Sequence, residues 1–259
     1  MWKSGDTDTV TKSVSDGKVM KFALTSDLYI DCYPDGEQID WHLVRRWTGV
    51  DVLVIGGNTS GSLERTKVEV LAAREAFDCV IFVDGKHEFR AGLPVPVGIE
   101  TLRQFAEMND GVHYLDGGAG VLIGHTLVCG VAGWHAHQAA MLSHRISEAA
   151  ADQAIGEIVV VTHAAPHPDG LVVSAGGETA DLTDGAVASA DLVPIWSDCL
   201  DGGKLTVWCF GHAPHSLDFT DSGVRFVCNP RGHPCQGATG PYSIHLIDTS
   251  VLTADMWGD

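Results

Sequence analysis

The sequence predicts an α/β fold in which two mixed β-sheets pack as a sandwich flanked by α-helices. Short apolar runs bounded by Gly, Asp or His alternate with longer amphipathic segments, as in layered α/β proteins. The last third is more hairpin-like, which indicates mixed strand pairing. At 259 residues and 45% hydrophobic composition, the chain is long enough for one large domain, with two small domains as the alternative.

Strands and helices are assigned from the spacing of apolar residues. In chain order, the predicted strands lie in KFALTSD, VDVLVIGGN, DCVIFVDGKH, GEIVVVTHAAP, KLTVWCFGHAPH, GVRFVCNPRG and YSIHLID. Apolar residues at three- and four-residue spacing predict helices in IDWHLVRRWTG, SLERTKVEVLAAREAF, PVGIETLRQFAEMND and HQAAMLSHRISEAAADQAIG.

Two segments are predicted to lie outside these elements. Residues 1–19 are polar without apolar periodicity and are predicted to be a flexible extension, which leaves residues 20–259 as the domain. The Gly- and Asp-rich segment 168–191 is predicted to be a surface loop near the functional site, where specificity would be determined.

Composition restricts the location and the partners. No apolar run approaches the roughly 20 residues of a spanning helix, and the N-terminus has no hydrophobic signal core, so we expect a cytoplasmic protein without a membrane partner. The net charge of −18 disfavours an extended nucleic-acid surface. The cysteines form no CxxC pair and are expected to be reduced and mostly buried; four of them lie in apolar, strand-like runs, namely Cys79, Cys129, Cys209 and Cys228.

Polar residues cluster at the carboxyl ends of the predicted strands, where α/β sheets bind ligands. They are Asp27, Asn58, Lys86 with His87, His163, and His212 with His215. Each residue alone could be a capping or strand-terminating group. Their repeated position favours a single functional site.

Five blocks of the sequence resemble, in the same order, the motif blocks of the calcineurin-like metallophosphoesterase superfamily. TSDLYID is similar to the family's Asp-x-His block, VLVIGGNTSG to its Gly-Asp block, and IFVDGKHEF to its Gly-Asn-His-Glu block. VVVTHAAPHP is similar to the single-histidine block, CFGHAPHSLDF to the Gly-His-x-His block, and VRFVCNPRGHP to the turn that follows it in many bacterial members. The resemblance covers residues 20–249. It implies this fold and two divalent ions whose bridging hydroxide attacks phosphorus.

The resemblance also implies roles for the residues that match the blocks. Asp27, His163 and His212 match metal ligands, and His87 matches the catalytic histidine. Asn58 matches the position of the bridging aspartate and is expected to bind an ion weakly or not at all.

Four positions in all depart from the ligand pattern. Besides Asn58, Tyr29 replaces a metal-binding histidine, Lys86 a ligating asparagine, and Pro214 the last histidine. In addition, Gly61 replaces an aspartate that orients the catalytic histidine in many members.

These departures predict an eroded metal site. Proline offers no ligand atom, and a phenol with a pKa near 10 binds Zn²⁺ or Mn²⁺ poorly. At an effective dielectric constant near 20, an ammonium about 4 Å from a divalent ion repels it by several kcal/mol. We hypothesise that Lys86 takes the space of an ion and pairs with Asp27, with Asn58 bridging; a solvated Lys86 is the alternative. His215 is a candidate compensating ligand.

Three functional interpretations follow. The first is a pseudoenzyme that binds a small phosphorylated molecule or nucleotide and hydrolyses it slowly. The second is an active phosphoesterase with one ion or an atypical ligand set. The third is metal-free ester chemistry that uses Lys86 and His87. The cofactor is accordingly expected to be absent, or one weakly bound Mn, Zn, Fe or Mg ion.

Overall fold

The structure, a computed structural model, describes residues 8–9, 20–34, 37–117, 119–171, 190–198, 201–236 and 242–251. Its strands are β1 (Asp8–Thr9), β2 (Lys21–Thr25), β3 (Val52–Ile55), β4 (Cys79–Phe82), β5 (Val112–Tyr114), β6 (Gly120–Ile123), β7 (Thr126–Val131), β8 (Glu157–Thr162), β9 (Leu205–Phe210), β10 (Leu217–Asp221), β11 (Val224–Cys228) and β12 (His245–Asp248). Its α-helices are α1 (Trp41–Thr48), α2 (Leu63–Ala76), α3 (Val95–Glu107), α4 (Ala136–Ala151) and α5 (Val193–Ser197).

The strands form two mixed sheets. The larger sheet has the order β1-β6-β7-β8-β9-β11-β10, and the smaller one β12-β2-β3-β4-β5. Strands β2 to β5 pair in parallel, whereas β12 is antiparallel to β2, and β10 and β11 form an antiparallel hairpin. The predicted α/β sandwich of mixed sheets is therefore confirmed.

The two sheets face each other across an apolar layer. Because side chains alternate along a strand, Phe22 and Leu24 of β2 enter this layer, as do Val159 and Val161 of β8. The intervening Ala23 belongs to the cluster on the outer face of the smaller sheet, which α1, α2 and α3 cover. Helices α4 and α5 cover the outer face of the larger sheet. This packing leaves the strand ends free to carry polar residues.

Helix boundaries follow local capping chemistry. The Asp40 carboxylate accepts the Leu43 N–H at 2.9 Å at the start of α1, and Gly49 ends that helix with φ 67°. Ser62 caps α2, where its hydroxyl accepts the Arg65 N–H at 3.4 Å.

Some predicted segments lie partly outside the described residues. Of the predicted N-terminal extension, only Asp8–Thr9 is described, and these residues pair with β6. Of the predicted 168–191 loop, Pro168–Leu171 forms a 3-10 turn and residues 172–189 lie outside the described part.

Within the described residues, no helix combines the length and apolar character needed to cross a membrane. Four cysteines are buried thiols in strands, as predicted, while Cys32 is half-buried and Cys235 is exposed; the four are Cys79, Cys129, Cys209 and Cys228.

Arg225 of β11 joins the larger sheet to the end of the described chain. Its guanidinium donates to both Asp218 carboxylate oxygens at 2.8 and 2.7 Å, and to the Asp248 and Val251 carbonyls. The replacement Arg225→Met is expected to lower the free energy of unfolding by about 3 kcal/mol, because it leaves the carboxylate and both carbonyls without this donor. Urea unfolding near neutral pH measures the loss.

Lys21→Met is the matched control, because the Lys21–Asp248 pair leaves the lysine side chain 56% exposed and should contribute less than about 1 kcal/mol.

The loss of stability caused by Arg225→Met should also depend on pH. Burial alone would raise the pKa of Asp218, but hydrogen bonds from Arg225 and His245 outweigh it and lower the pKa to about 2. The stabilisation is therefore present above the ordinary carboxyl pKa and is lost as the pH falls through about 2. A penalty that stays constant with falling pH would contradict the ion pair.

Candidate functional site

Polar groups from the ends of β2, β3, β4, β8 and β9 meet around one carboxylate. The Asn58 side-chain amide donates to Asp27 Oδ1 at 2.9 Å, and the His212 backbone N–H donates to Asp27 Oδ2 at 2.9 Å. His163 Nε2 lies 3.9 Å from Asp27 Oδ1, and the His87 backbone N–H donates to Asn58 Oδ1 at 2.9 Å. We call Asp27, Asn58, His163 and His212 the Asp27 site.

The backbone at this site is strained. Asp27, Tyr29, Asn58 and His212 have positive φ values of 49°, 45°, 55° and 61°. Such a conformation costs a non-glycine residue on the order of 1–3 kcal/mol, so the surroundings must maintain it. Two backbone hydrogen bonds do so: Asp27 N–H to the Gly57 carbonyl at 2.9 Å, and Tyr29 N–H to the Asn58 carbonyl at 3.2 Å. Strain of this kind is typical of functional sites.

Tyr29 lies beside Asp27 as a neutral phenol. The Asn58 amide donates to its oxygen at 3.0 Å, and its hydroxyl donates to Asp27 Oδ1 at 3.4 Å. Burial, and then the Asp27 charge, raise the pKa of Tyr29 well above its usual range. In these contacts Tyr29 acts as a hydrogen-bonding group.

The tautomer of His163 can be assigned from its surroundings. Its Nδ1 atom lies 2.6 Å from the Gly56 carbonyl oxygen, which can only accept, so Nδ1 carries the proton and Nε2 presents a lone pair. Nε2 is buried and has no hydrogen-bond partner. An unpartnered lone pair beside a carboxylate suits a cation or a proton donor.

Trp134 covers the histidines of the site, and the sequence reasoning missed it. Its ring makes edge contacts with His163 and His212, with centroids 5.5 and 4.8 Å apart. Lys86 Nζ lies 4.3 Å from the centroid of the same ring, and Lys86 is exposed. The sequence feature that could have identified Trp134 is its position just after β7, because the other residues of the site also follow strand ends. Pairing of Lys86 with Asp27 stays a prediction.

Asp31 fills the space that Gly61 leaves next to His87. A Cβ atom at Gly61 would lie 2.8 Å from Asp31 Oδ2 and 3.2 Å from His87 Nε2. The Gly61 N–H donates to Asp31 Oδ1 at 3.0 Å, and Asp31 Oδ1 lies 3.5 Å from His87 Nε2. Asp31, in the turn Ile30–Cys32, thus places a carboxylate next to His87 although position 61 has none. No spacing rule in the sequence indicated this contact.

Glu88 ties two loops of the site together. Its carboxylate accepts the Thr59 N–H at 2.6 Å and the Gly85 N–H at 2.9 Å. Complete burial is the main cause that raises the pKa of Glu88 to about 8. The carboxyl group thereby fixes the loop that carries Asn58 against the loop that carries His87.

The remaining predicted positions lie after β9. Pro214 is exposed and His215 is half-buried in the same loop. The role of His215 as a compensating ligand stays a prediction.

Position 58 carries no carboxylate that could bridge two ions. Position 58 presents an amide whose NH₂ group points at Asp27, Tyr29 is a neutral phenol, and Pro214 offers no donor. The lone pair on His163 Nε2 does fit a single ion. The eroded metal site stays a prediction, and these donors are compatible with a single ion.

No family profile matches the sequence, and no curated protein matches it significantly. Solved structures match over most of its length. A phosphopantetheinyl hydrolase from Mycobacterium tuberculosis is 13% identical, with a TM-score of 0.58 over 88% of this chain and 95% of the hydrolase. A dimetal phosphatase from Danio rerio is 14% identical, with a TM-score of 0.51 over 81% of this chain and 87% of the phosphatase.

The chain has the calcineurin-like metallophosphoesterase fold. The resemblance of the motif blocks is confirmed at the level of the fold, and identities this low carry no activity across. In this metallophosphoesterase fold, the Asp27 site occupies the strand ends at which the motif blocks place the metal ligands.

Proposed function

We propose that this protein binds a phosphate group of a small phosphorylated molecule or nucleotide at the Asp27 site and hydrolyses the ester slowly or not at all. One observation carries the proposal: Asp27 is already satisfied by protein donors. Its oxygens accept from Asn58, Tyr29 and the His212 backbone. Hydrogen bonds from protein donors stabilise this carboxylate without a metal, and without a metal the hydroxide nucleophile of the metal mechanism is not generated.

The neighbouring groups are suited to an anion. Lys86 brings an ammonium next to Trp134 at the edge of the site, and His163 and His212 place imidazoles beside it. Charge-assisted hydrogen bonds from the Lys86 ammonium to phosphate oxygens are about twice as strong as neutral ones, and a protonated phosphate oxygen can donate to the lone pair of His163 Nε2. The negative charge of the whole chain favours a small ligand over a polymer.

A mononuclear phosphoesterase is the second candidate, and the lone pair of His163 Nε2 favours it. In such an enzyme, His163 and His212 would hold the ion, which would act as a Lewis acid on the phosphoryl oxygens. Asn58 and Asp27 would hold the surrounding loops in place, and Trp134 would exclude water from one side.

Calorimetric titration with AMP and with inorganic phosphate, in EDTA and then in Mn²⁺, tests the proposal. We expect similar binding in both conditions, lost in His163→Ala, and no Mn²⁺-dependent hydrolysis of bis(p-nitrophenyl) phosphate. His144→Ala is the matched control, because His144 lies on α4 with its side chain 76% exposed. Hydrolysis that requires Mn²⁺ and disappears in His163→Ala would overturn the proposal in favour of the mononuclear enzyme. Absence of AMP and phosphate binding in every condition would reject both.

A further inference from the structure

A second set of ligand atoms lies at the edge of the Asp27 site. Within the described residues, Asp31, Cys32 and His87 place a carboxylate oxygen, a thiol sulfur and a ring nitrogen within 4.8 Å of one another. Two 3-10 turns bring them together: Ile30–Cys32 after β2 and His87–Phe89 after β4. We call these three residues the Asp31 cluster. None of them matches a metal-ligand position of the motif blocks.

His87 points an unsatisfied atom into this cluster. His87 is only 6% exposed, and its Nε2 atom is buried without a hydrogen-bond partner. A buried imidazole nitrogen in that state lacks a stabilising contact worth about 1–3 kcal/mol. The nearest carboxylate oxygen, Asp31 Oδ1, lies 3.5 Å away.

The separation between His87 Nε2 and Asp31 Oδ1 suits two ligands of one ion better than a direct hydrogen bond. A hydrogen bond between these groups would bring the atoms to roughly 2.7–3.2 Å. Two donors bound to tetrahedral Zn²⁺ at about 2.0–2.1 Å lie roughly 3.3 Å apart. The observed 3.5 Å is close to the latter distance.

The loop opposite the cluster keeps this space open. Asp31 is held by the Gly61 N–H at 3.0 Å, and a side chain at Gly61 would contact both Asp31 and His87. Glu88 anchors the turn that carries His87 through the Thr59 and Gly85 N–H groups. Two of the three ligands are therefore positioned by the backbone, before any ion binds.

Cys32 supplies the third donor. Cys32 is half-buried, and its sulfur lies within 4.8 Å of the other two donors, close enough for a small side-chain shift to complete a zinc coordination sphere. A bound ion displaces the thiol proton, because the thiolate is the species that coordinates.

We propose that Asp31, Cys32 and His87 bind one divalent transition-metal ion, with Zn²⁺ the best match. A sulfur, nitrogen and oxygen donor set suits zinc and excludes Mg²⁺ and Ca²⁺, which prefer oxygen alone. Three protein ligands leave a fourth position for water or a phosphate oxygen. An ion here would also occupy His87 and remove it from proton transfer. The site does not depend on the proposed function, since none of its ligands belongs to the Asp27 site.

Co²⁺ titration of the reduced full chain tests the proposal, because Co²⁺ reports thiolate ligation through a near-ultraviolet charge-transfer band. We expect one equivalent of Co²⁺ to produce this band together with the visible bands of a tetrahedral ion, and Zn²⁺ to abolish both. Cys32→Ala should remove the charge-transfer band, and Asp31→Asn, which preserves the side-chain shape, should weaken Co²⁺ binding at least about tenfold.

Two variants separate this site from its surroundings. His163→Ala should leave the charge-transfer band intact, because the Asp27 site contains no sulfur. Cys235→Ala should also leave it intact, since Cys235 is the exposed cysteine among the described residues and lies outside the cluster. Circular dichroism checks that each variant is folded. Absence of a thiolate band in the wild type, or a band that survives in Cys32→Ala, would overturn the proposal.

Discussion

The replacement Asn58→Asp is expected to make the stability of the protein depend on a divalent metal. The Asn58 amide nitrogen lies 2.9 Å from Asp27 Oδ1, so the variant brings two buried carboxylates into contact. Without metal, their repulsion and the lost hydrogen bond should lower the free energy of unfolding by about 3 kcal/mol. With Mn²⁺, a bridging carboxylate near an ion of charge two attracts it by several kcal/mol at an effective dielectric constant near 20. Thermal unfolding in EDTA and in Mn²⁺ measures both effects.

Adding the other family ligands should turn this metal dependence into catalysis. The combination of Asn58→Asp with Tyr29→His, Lys86→Asn and Pro214→His restores the ligand types that the motif blocks imply. We expect metal-dependent hydrolysis of bis(p-nitrophenyl) phosphate at least about 100-fold faster than in the wild type, because a metal-bound hydroxide becomes available.

The control for the stability effect is Asn109→Asp, at a half-buried asparagine near the end of α3 that donates to the Phe105 carbonyl. Its stability should be independent of Mn²⁺. If the fourfold variant gains neither metal binding nor hydrolysis, the cleft differs from an active phosphoesterase at more than these positions, and erosion of ligands alone does not explain its state.

Several long, buried strands were predictable from the sequence, whereas β6 and the fully buried β7 were absent from the predicted strand segments, although Cys129 of β7 was placed in a strand-like run. The runs around β3, β8 and β9 are continuous apolar stretches, which are typical of parallel strands covered on both faces. Strand β10 was missed because LDFTD alternates polar and apolar residues as a hairpin strand with an exposed face. Strand β5 has only three residues and α5 only five, which is too short for a periodic pattern.

The sequence could predict which residues form the candidate site, but not the contacts that they make. Asp27 and Asn58 follow β2 and β3, which are neighbouring parallel strands of the smaller sheet, so these two residues could be grouped from sequence. His163 follows β8 of the larger sheet and joins them because the two sheets pack face to face. The sequence could not show that Asp31 reaches the space left by Gly61, because that contact joins two loops whose paths depend on tertiary packing. The covering position of Trp134 has the same origin. Strand ends fix which residues approach, and loop conformation decides what they contact.

The replacement Gly85→Ala is expected to disrupt the Asp27 site strongly, because the added methyl group meets two of its residues. A Cβ atom at this position would lie 2.3 Å from Asn58 Oδ1 and 2.8 Å from His163 Nε2. Neither neighbour moves freely, because Asn58 bonds to Asp27 and the His87 N–H, and His163 bonds to Gly56. Overpacking together with broken hydrogen bonds should lower the free energy of unfolding by about 4 kcal/mol.

Binding should be affected as strongly as stability in Gly85→Ala. We expect AMP affinity to fall at least about tenfold, since the displaced His163 and Asn58 side chains line the proposed phosphate site. Gly156→Ala is the matched control, because its Cβ atom would meet nothing closer than 3.7 Å. Calorimetry and urea unfolding of both variants separate the two effects. A folded Gly85→Ala protein that binds AMP like the wild type would place the phosphate elsewhere in the cleft, and would leave the lone pair of His163 Nε2 without a role in ligand binding.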